Sequence, residues 1–150
     1  MRIGLGVIFT GLIVLTGCGT PTGKPTDLAN ACVPENDHQY LEVSGYIVPA
    51  SSVFCSNIGG GPVACGLDFS DSAGGARKMG VDIPQGSGAN SIDKLPSGYK
   101  KEDIKIRDNA GNAIALGDKV RVTGKTSIAP GAGNTPGVCF MQVEKIESGK

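Results

Sequence analysis

Five cysteines, at positions 18, 32, 55, 65 and 139, constrain this 150-residue chain more than any other feature, because the first stands apart from the other four. Cys18 closes a segment that starts Met1-Arg2, runs on as a 13-residue apolar stretch from Ile3 to Leu15, and ends Thr16-Gly17. One positive charge, a short apolar run and small residues before a cleavage point form the three-part pattern of a secretory signal peptide. The stretch is too short to span a bilayer core as a helix, which takes about 20 residues.

Leu15-Thr16-Gly17-Cys18 resembles the lipobox of bacterial lipoproteins, Leu-x-Gly/Ala-Cys. The resemblance implies that residues 1–17 are removed and that Cys18 becomes a lipid-bearing first residue. Its thiolate is the group that accepts the diacylglyceryl unit, and the small residues before it let the processing enzyme approach the backbone. At about 0.8 kcal/mol per buried methylene, two or three acyl chains (palmitate, for example) anchor nearly permanently. The partner so implied is a membrane, and the location is the cell envelope. In such lipoproteins of Gram-negative bacteria, Asp after the cysteine tends to retain the protein at the inner membrane, so Gly19 implies the outer one in such a host.

Without residues 1–17 the chain has 133 residues, enough for one domain and a tether. It then carries 13 Lys and Arg against 14 Asp and Glu. That balance lacks the basic footprint of nucleic-acid binding. With Cys18 lipidated, Cys32, Cys55, Cys65 and Cys139 remain, an even set that reads as two disulfides in an oxidising compartment, with three possible connectivities. Cys55 and Cys65 flank a Gly-rich segment that closes easily, which leaves Cys32 for Cys139; Cys139 with Cys55 or Cys65 is the rival pairing. A zinc site needs short ligand spacings such as Cys-x-x-Cys. None is present, and His38 is the only histidine, so neither metal nor cofactor is expected.

The stretch 18–31 is small, polar and Pro-containing, which predicts a flexible tether. A single β-domain is expected over 32–148. Strands are predicted at 40–48, 62–69, 78–83, 104–106, 119–126 and 138–146 from β-branched content and alternation. Turn chemistry separates them at Ser70–Gly75 and Asp108–Gly111. Only Asn90–Leu95 reads as helical, with Asn90 or Ser91 to cap it and Pro96 to stop it.

This pattern predicts an all-β fold, a small five- to six-stranded barrel or alternatively a β-sandwich. Val43-Ser44-Gly45-Tyr46-Ile47 and Gly117-Asp118-Lys119-Val120-Arg121-Val122-Thr123-Gly124-Lys125 resemble the first and fourth strands of OB-fold domains. The likeness covers about residues 38–147. It implies that a glycine bends the first strand so that it pairs on both sides. Residues 84–103 depart from the pattern, being Gly/Ser-rich where such domains have a helix.

Catalytic constellations are weak. Gly124-Lys125-Thr126 matches the end of a phosphate-binding loop, but position 119 is Lys rather than Gly and the segment reads as a strand. No Gly-x-Ser-x-Gly elbow accompanies His38, which reads as an exposed surface residue. Asp68 and Asp71 lie near one turn and Asp108 begins another, and clustering of Asp68, Asp71, Asp82 or His38 in one deep pocket would make a carboxylate-based envelope enzyme. The chain is therefore expected to be a noncatalytic binding or structural lipoprotein whose partner is an envelope protein or ligand. The alternative is an oligosaccharide- or peptide-binding module, because the loops joining strands one to two and four to five flank one cleft in OB barrels. Those loops are 50–61 and 128–136, and the candidate binding face is Tyr46 and Phe69 with Gly60 and Gly133. Against a stacking platform, there is no Trp and only 5% of the chain is aromatic; the glycines equally serve tight turns.

Overall fold

The computed structural model describes Gly19 and residues 22–57, 60–133 and 137–149; the signal segment and Cys18 lie outside the described residues. In chain order the strands are β1 (Lys24–Pro25), β2 (Tyr40–Val48), β3 (Phe54–Ser56), β4 (Ala64–Ser70) and β5 (Met79–Pro84). They continue as β6 (Ser91–Ile92), β7 (Ile106–Arg107), β8 (Ala113–Ile114), β9 (Lys119–Ala129) and β10 (Val138–Ser148). The expected strands at 62–69, 78–83 and 104–106 are displaced by one or two residues.

Five of these strands form a ring. β2 pairs antiparallel with β9, β9 with β10 and β4 with β5, while β10 and β5 run parallel. The ring closes where the last three residues of β2 turn away from β9 and pair with β4, Tyr46 opposite Ser70 through Val48 opposite Asp68. This is a Greek-key barrel of the OB type. Period-2 alternation sends Leu41, Val43 and Ile47 of β2, Leu67 and Phe69 of β4, Val81 and Ile83 of β5, and Val120 and Val122 of β9 into the interior, all buried. On β10, Met141 and Val143 face inward, then the register shifts between Val143 and Lys145, and the inward position resumes at Ile146.

Gly45 is where β2 changes partners. A Cβ there would lie 2.6 Å from the Ser70 carbonyl oxygen and 2.7 Å from the Phe69 ring. No side chain fits, so the two strands cross as closely as they do only because position 45 is glycine.

The candidate helix at Asn90–Leu95 is corrected. Asn90 has φ of 54°, a left-handed conformation that does not start a helix, and Ser91–Ile92 pairs with β7 instead. With β8 these strands form a small second sheet, whose Ile92, Ile106 and Ile114 are buried in the same core as the barrel. Hydrogen bonds fasten it to the barrel end formed by the last residues of β2 and β10. Ile146 donates its N–H to Asn90 Oδ1 (2.8 Å), Asn109 donates to the Ile146 carbonyl (2.7 Å), and Gly117 donates to the Ile47 carbonyl (2.9 Å). The Ser148 hydroxyl donates to Asp108 Oδ2, and this bond together with the Asn112 and Ala110 amides holds the Asp108 carboxyl below its usual range. Arg107 and Asp93 pair within the cap.

Residues 24–31 also differ from a free tether. Lys24 and Pro25 pair parallel with Leu41 and Glu42, Thr26 donates to the Glu42 carbonyl (2.9 Å), and Ala31 is fully buried. The strand arises from docking on the open edge of β2, which composition does not report. Two disulfides are present, Cys32–Cys139 between this N-terminal segment and the start of β10, and Cys55–Cys65 across β3 and β4. They suit an oxidising, extracytoplasmic compartment. No helix among the described residues is long and apolar enough to cross a membrane.

Replacing Gly45 by valine is expected to lower unfolding stability by about 3 kcal/mol through overpacking. Gly61→Ala, at a position with open space around it, is expected to be near neutral. Urea unfolding of the two variants checks this; equal effects would mean that the crossing is not tight.

Candidate functional site

Among the described residues three large apolar side chains stand exposed. Phe54 (73% exposed) and Val63 (37%) belong to the β3–β4 hairpin, and Val138 (49%) begins β10.

The hairpin is rigidly held. Cys55 and Cys65 are directly opposite one another, so their disulfide joins β3 to β4 at the pair beside Phe54 and Gly66. The Val53 N–H donates to the Tyr99 hydroxyl oxygen at 2.6 Å, tying the approach to β3 to the segment that joins β6 to β7. Phe54 therefore stands in solvent on a fixed support, beside a groove of about 390 Å³ that crosses the outer faces of β4, β5 and β10. Its walls are Phe54, Pro62, Ala64 and Pro84; polar groups come from Ser56, Asp82, Gln142 and Glu144. Gly66 forms part of the floor, where a Cβ would lie 3.3 Å from Asp82 Oδ1.

Burial pushes the Asp82 carboxyl above its usual range, against the opposing field of Arg77. The Arg77 guanidinium lies over Gly80 and pairs with Asp68 at 3.5 Å. Glu144 accepts the Tyr40 hydroxyl at 2.9 Å, a bond that raises the phenol above its ordinary value.

A second hollow, of about 970 Å³, lies at the other end of the barrel side. Pro34, Ile128, Ala129, Pro130, Val138 and the Cys32–Cys139 disulfide line it, with Asp37, Arg77 and Lys78 at its edge. The described parts of loops 50–61 and 128–136 line separate hollows rather than one, Phe54, Ser56 and Gly61 the first and Ile128, Ala129 and Pro130 the second. The reason is the length of the β9–β10 ladder, which runs on to Ala129 opposite Val138 beyond Lys125, where the pairing of β9 with β2 ends.

The binding face expected from Tyr46, Phe69, Gly60 and Gly133 is not assembled. Phe69 is fully buried, its ring packed beneath Gly45, so it offers no stacking surface. Tyr46 is half-buried on β2 and lines neither hollow. Gly60 and Gly133 have φ of 78° and 60° with open space around them, the signature of turn formers. The titratable candidates are likewise dispersed. Asp68 pairs with Arg77, Asp71 with Lys78 (3.4 Å) and His38, largely exposed, with Asp37 (3.5 Å), while Asp82 alone lines the groove. Among the described residues no three His, Cys, Asp or Glu side chains are placed to hold a metal.

Phe54 itself had one sequence signal, an apolar Val53-Phe54-Cys55 triplet leading into the Gly-rich loop. A three-residue strand is too short for alternation to declare which side faces out.

No family model matches the chain, and no curated protein matches it. Among solved structures it is similar to OBody AM3L09 bound to hen egg-white lysozyme, with 17% identity and a TM-score of 0.44, covering 86% of this chain and 96% of that one. OBody AM2EP06 bound to hen egg-white lysozyme is similar at 17% identity and a TM-score of 0.43, with the same coverage. The OB-type architecture is read from this chain's own strand order.

Because burial disfavours the charged form of Asp82, its folded-state pKa lies above the unfolded one and ionisation weakens the fold as pH rises. Asp82→Asn is therefore expected to raise the urea midpoint at neutral pH, with the gain disappearing below the unfolded carboxylate value of about 3.9. Urea titrations at pH 7 and pH 3 check the sign; a loss of stability at pH 7 would show that Asp82 is held by a favourable partner.

Proposed function

We propose that this chain is a lipid-anchored lipoprotein of the cell envelope, facing the periplasm or the surface, whose barrel holds a segment of another envelope protein in the Phe54 groove without acting on it chemically. Phe54 carries the proposal: a large apolar side chain, mostly in solvent, is fixed by a neighbouring disulfide beside a groove with mixed apolar and polar walls. Protein recognition sites concentrate their energy in such buried-on-binding aromatic anchors. A preorganised anchor also costs little entropy to engage. One aromatic ring and no tryptophan favour a protein segment over a sugar chain, which uses broader stacking surfaces.

The anchor is supported by Leu15-Thr16-Gly17-Cys18 behind a charge and an apolar run, and by two disulfides that suit the same side of the membrane. The envelope location limits the partner to components that share it.

Cys18→Ser is expected to remove the lipid mass and to release the protein from washed membranes into the soluble fraction. Unchanged membrane retention would refute the anchor. Phe54→Ala is expected to leave the unfolding midpoint unchanged while weakening partner binding by about 2 kcal/mol, or about 30-fold. Co-purification from crosslinked cells measures it; equal recovery with alanine at 54 would place the binding surface elsewhere.

A further inference from the structure

The direction in which the N-terminal segment leaves the barrel decides which end can approach the lipid. β1 runs parallel to β2 with Lys24 opposite Leu41, and Gly23 is pressed on the β2 backbone, where a Cβ would lie 2.6 Å from the Leu41 carbonyl carbon. The chain before Gly23 therefore leaves past the start of β2. β9 runs antiparallel to β2 and ends at this end of the barrel; β10 and β5 begin there. The cap of β6, β7 and β8 is fastened to the opposite end, at Ile47 and Ile146.

Only five peptide steps separate Cys18 from Gly23, a reach of at most about 18 Å. The nine residues of β2 span about 30 Å at roughly 3.3 Å each. A lipid on Cys18 thus cannot be carried round to the cap. It is held to the end where β9 finishes and β10 starts.

The chemistry of that end fits a bilayer surface. The sequence has no charged side chain from Ser127 to Gln142. Ile128, Ala129, Pro130 and Val138 form an apolar surface there together with Pro34, and Val138 is half-exposed. Arg77 and Lys78, each about half-exposed, stand at the edge of the same hollow with Asp37, and each pairs with a carboxylate, Asp68 and Asp71. An apolar surface inside a charged rim is the arrangement of a face seated at the headgroup layer.

We infer that the membrane anchored through Cys18 covers this end of the barrel, with Ile128–Pro130 and Val138 in the headgroup layer. The inference rests on the lipid anchor proposed above. It replaces a domain that stands off its membrane with one seated on it, and leaves the Phe54 groove on the side of the barrel, open to a partner.

The test uses the full lipidated protein in vesicles of phosphatidylcholine and phosphatidylglycerol, some of them bearing nitroxide headgroups. A fluorophore is placed on Ala132→Cys, beside this surface, or on Ala110→Cys, in the exposed turn of the cap. Quenching at 132 is expected to exceed that at 110 by about twofold or more, since nitroxides at headgroup depth reach only a few ångströms. Equal or reversed quenching in vesicle-bound protein overturns the orientation and leaves the anchor standing. Protein absent from the vesicles overturns both. Shielding of position 132 from iodide without nitroxide quenching indicates a protein cover, such as a second copy, and also overturns the orientation. If a cysteine variant misfolds, a photoreactive benzoylphenylalanine at the same position, read by crosslinking to lipid, gives the same comparison.

Discussion

Between Gly45 and the Ser70 carbonyl there is no room for a methyl group, and the barrel is built around that contact. A strand that pairs with β9 along its first seven residues and with β4 along its last three must bend where the two sheets meet. The Phe69 ring fills the space that a side chain at 45 would have taken. Once β2 crosses there, β4 and β9 lie on either side of it, β5 and β10 complete the ring, and the inward rows of β-branched and aliphatic side chains meet in one core. Burial of that core drives the fold, but the close crossing decides which fold it drives.

Two disulfides then act at opposite places. Cys32–Cys139 holds the N-terminal segment to the start of β10, which keeps β1 on the edge of β2. Cys55–Cys65 holds β3 to β4, which keeps Phe54 in solvent beside its groove. One staple thus bears on where the domain sits, the other on what it presents. The proposed attachment and the proposed recognition thus lie on different parts of the barrel.

Much of this was legible in the residues, and the exceptions have physical causes. β2, β9 and β10 are long enough for alternation to declare them, and Gly45 marks the bend within the first. The short strands are different. β1, β3 and β8 have two or three residues each, and neighbours rather than propensity make them strands. Asn90 reads as a helix cap because its side chain suits one, yet in the fold that side chain accepts the Ile146 amide and the backbone turns left-handed. Phe69 reads as a surface aromatic because alternation separates two faces without saying which is inside; Cys65 and Leu67 on the same row, both buried, settle it. The groove escaped notice because it joins residues far apart in sequence, Phe54, Asp82 and Gln142, through a parallel β5–β10 pairing that no local pattern announces.

The Phe54 groove is the surface proposed to meet a partner. The direct measurement is site-specific photocrosslinking in living cells, with a photoreactive amino acid at position 54 and, as the comparison, at Gly98, a turn position with open space around it. The account predicts a discrete protein adduct from position 54 and none from position 98. The absence of an adduct from 54, or the same adduct from both positions, would contradict it.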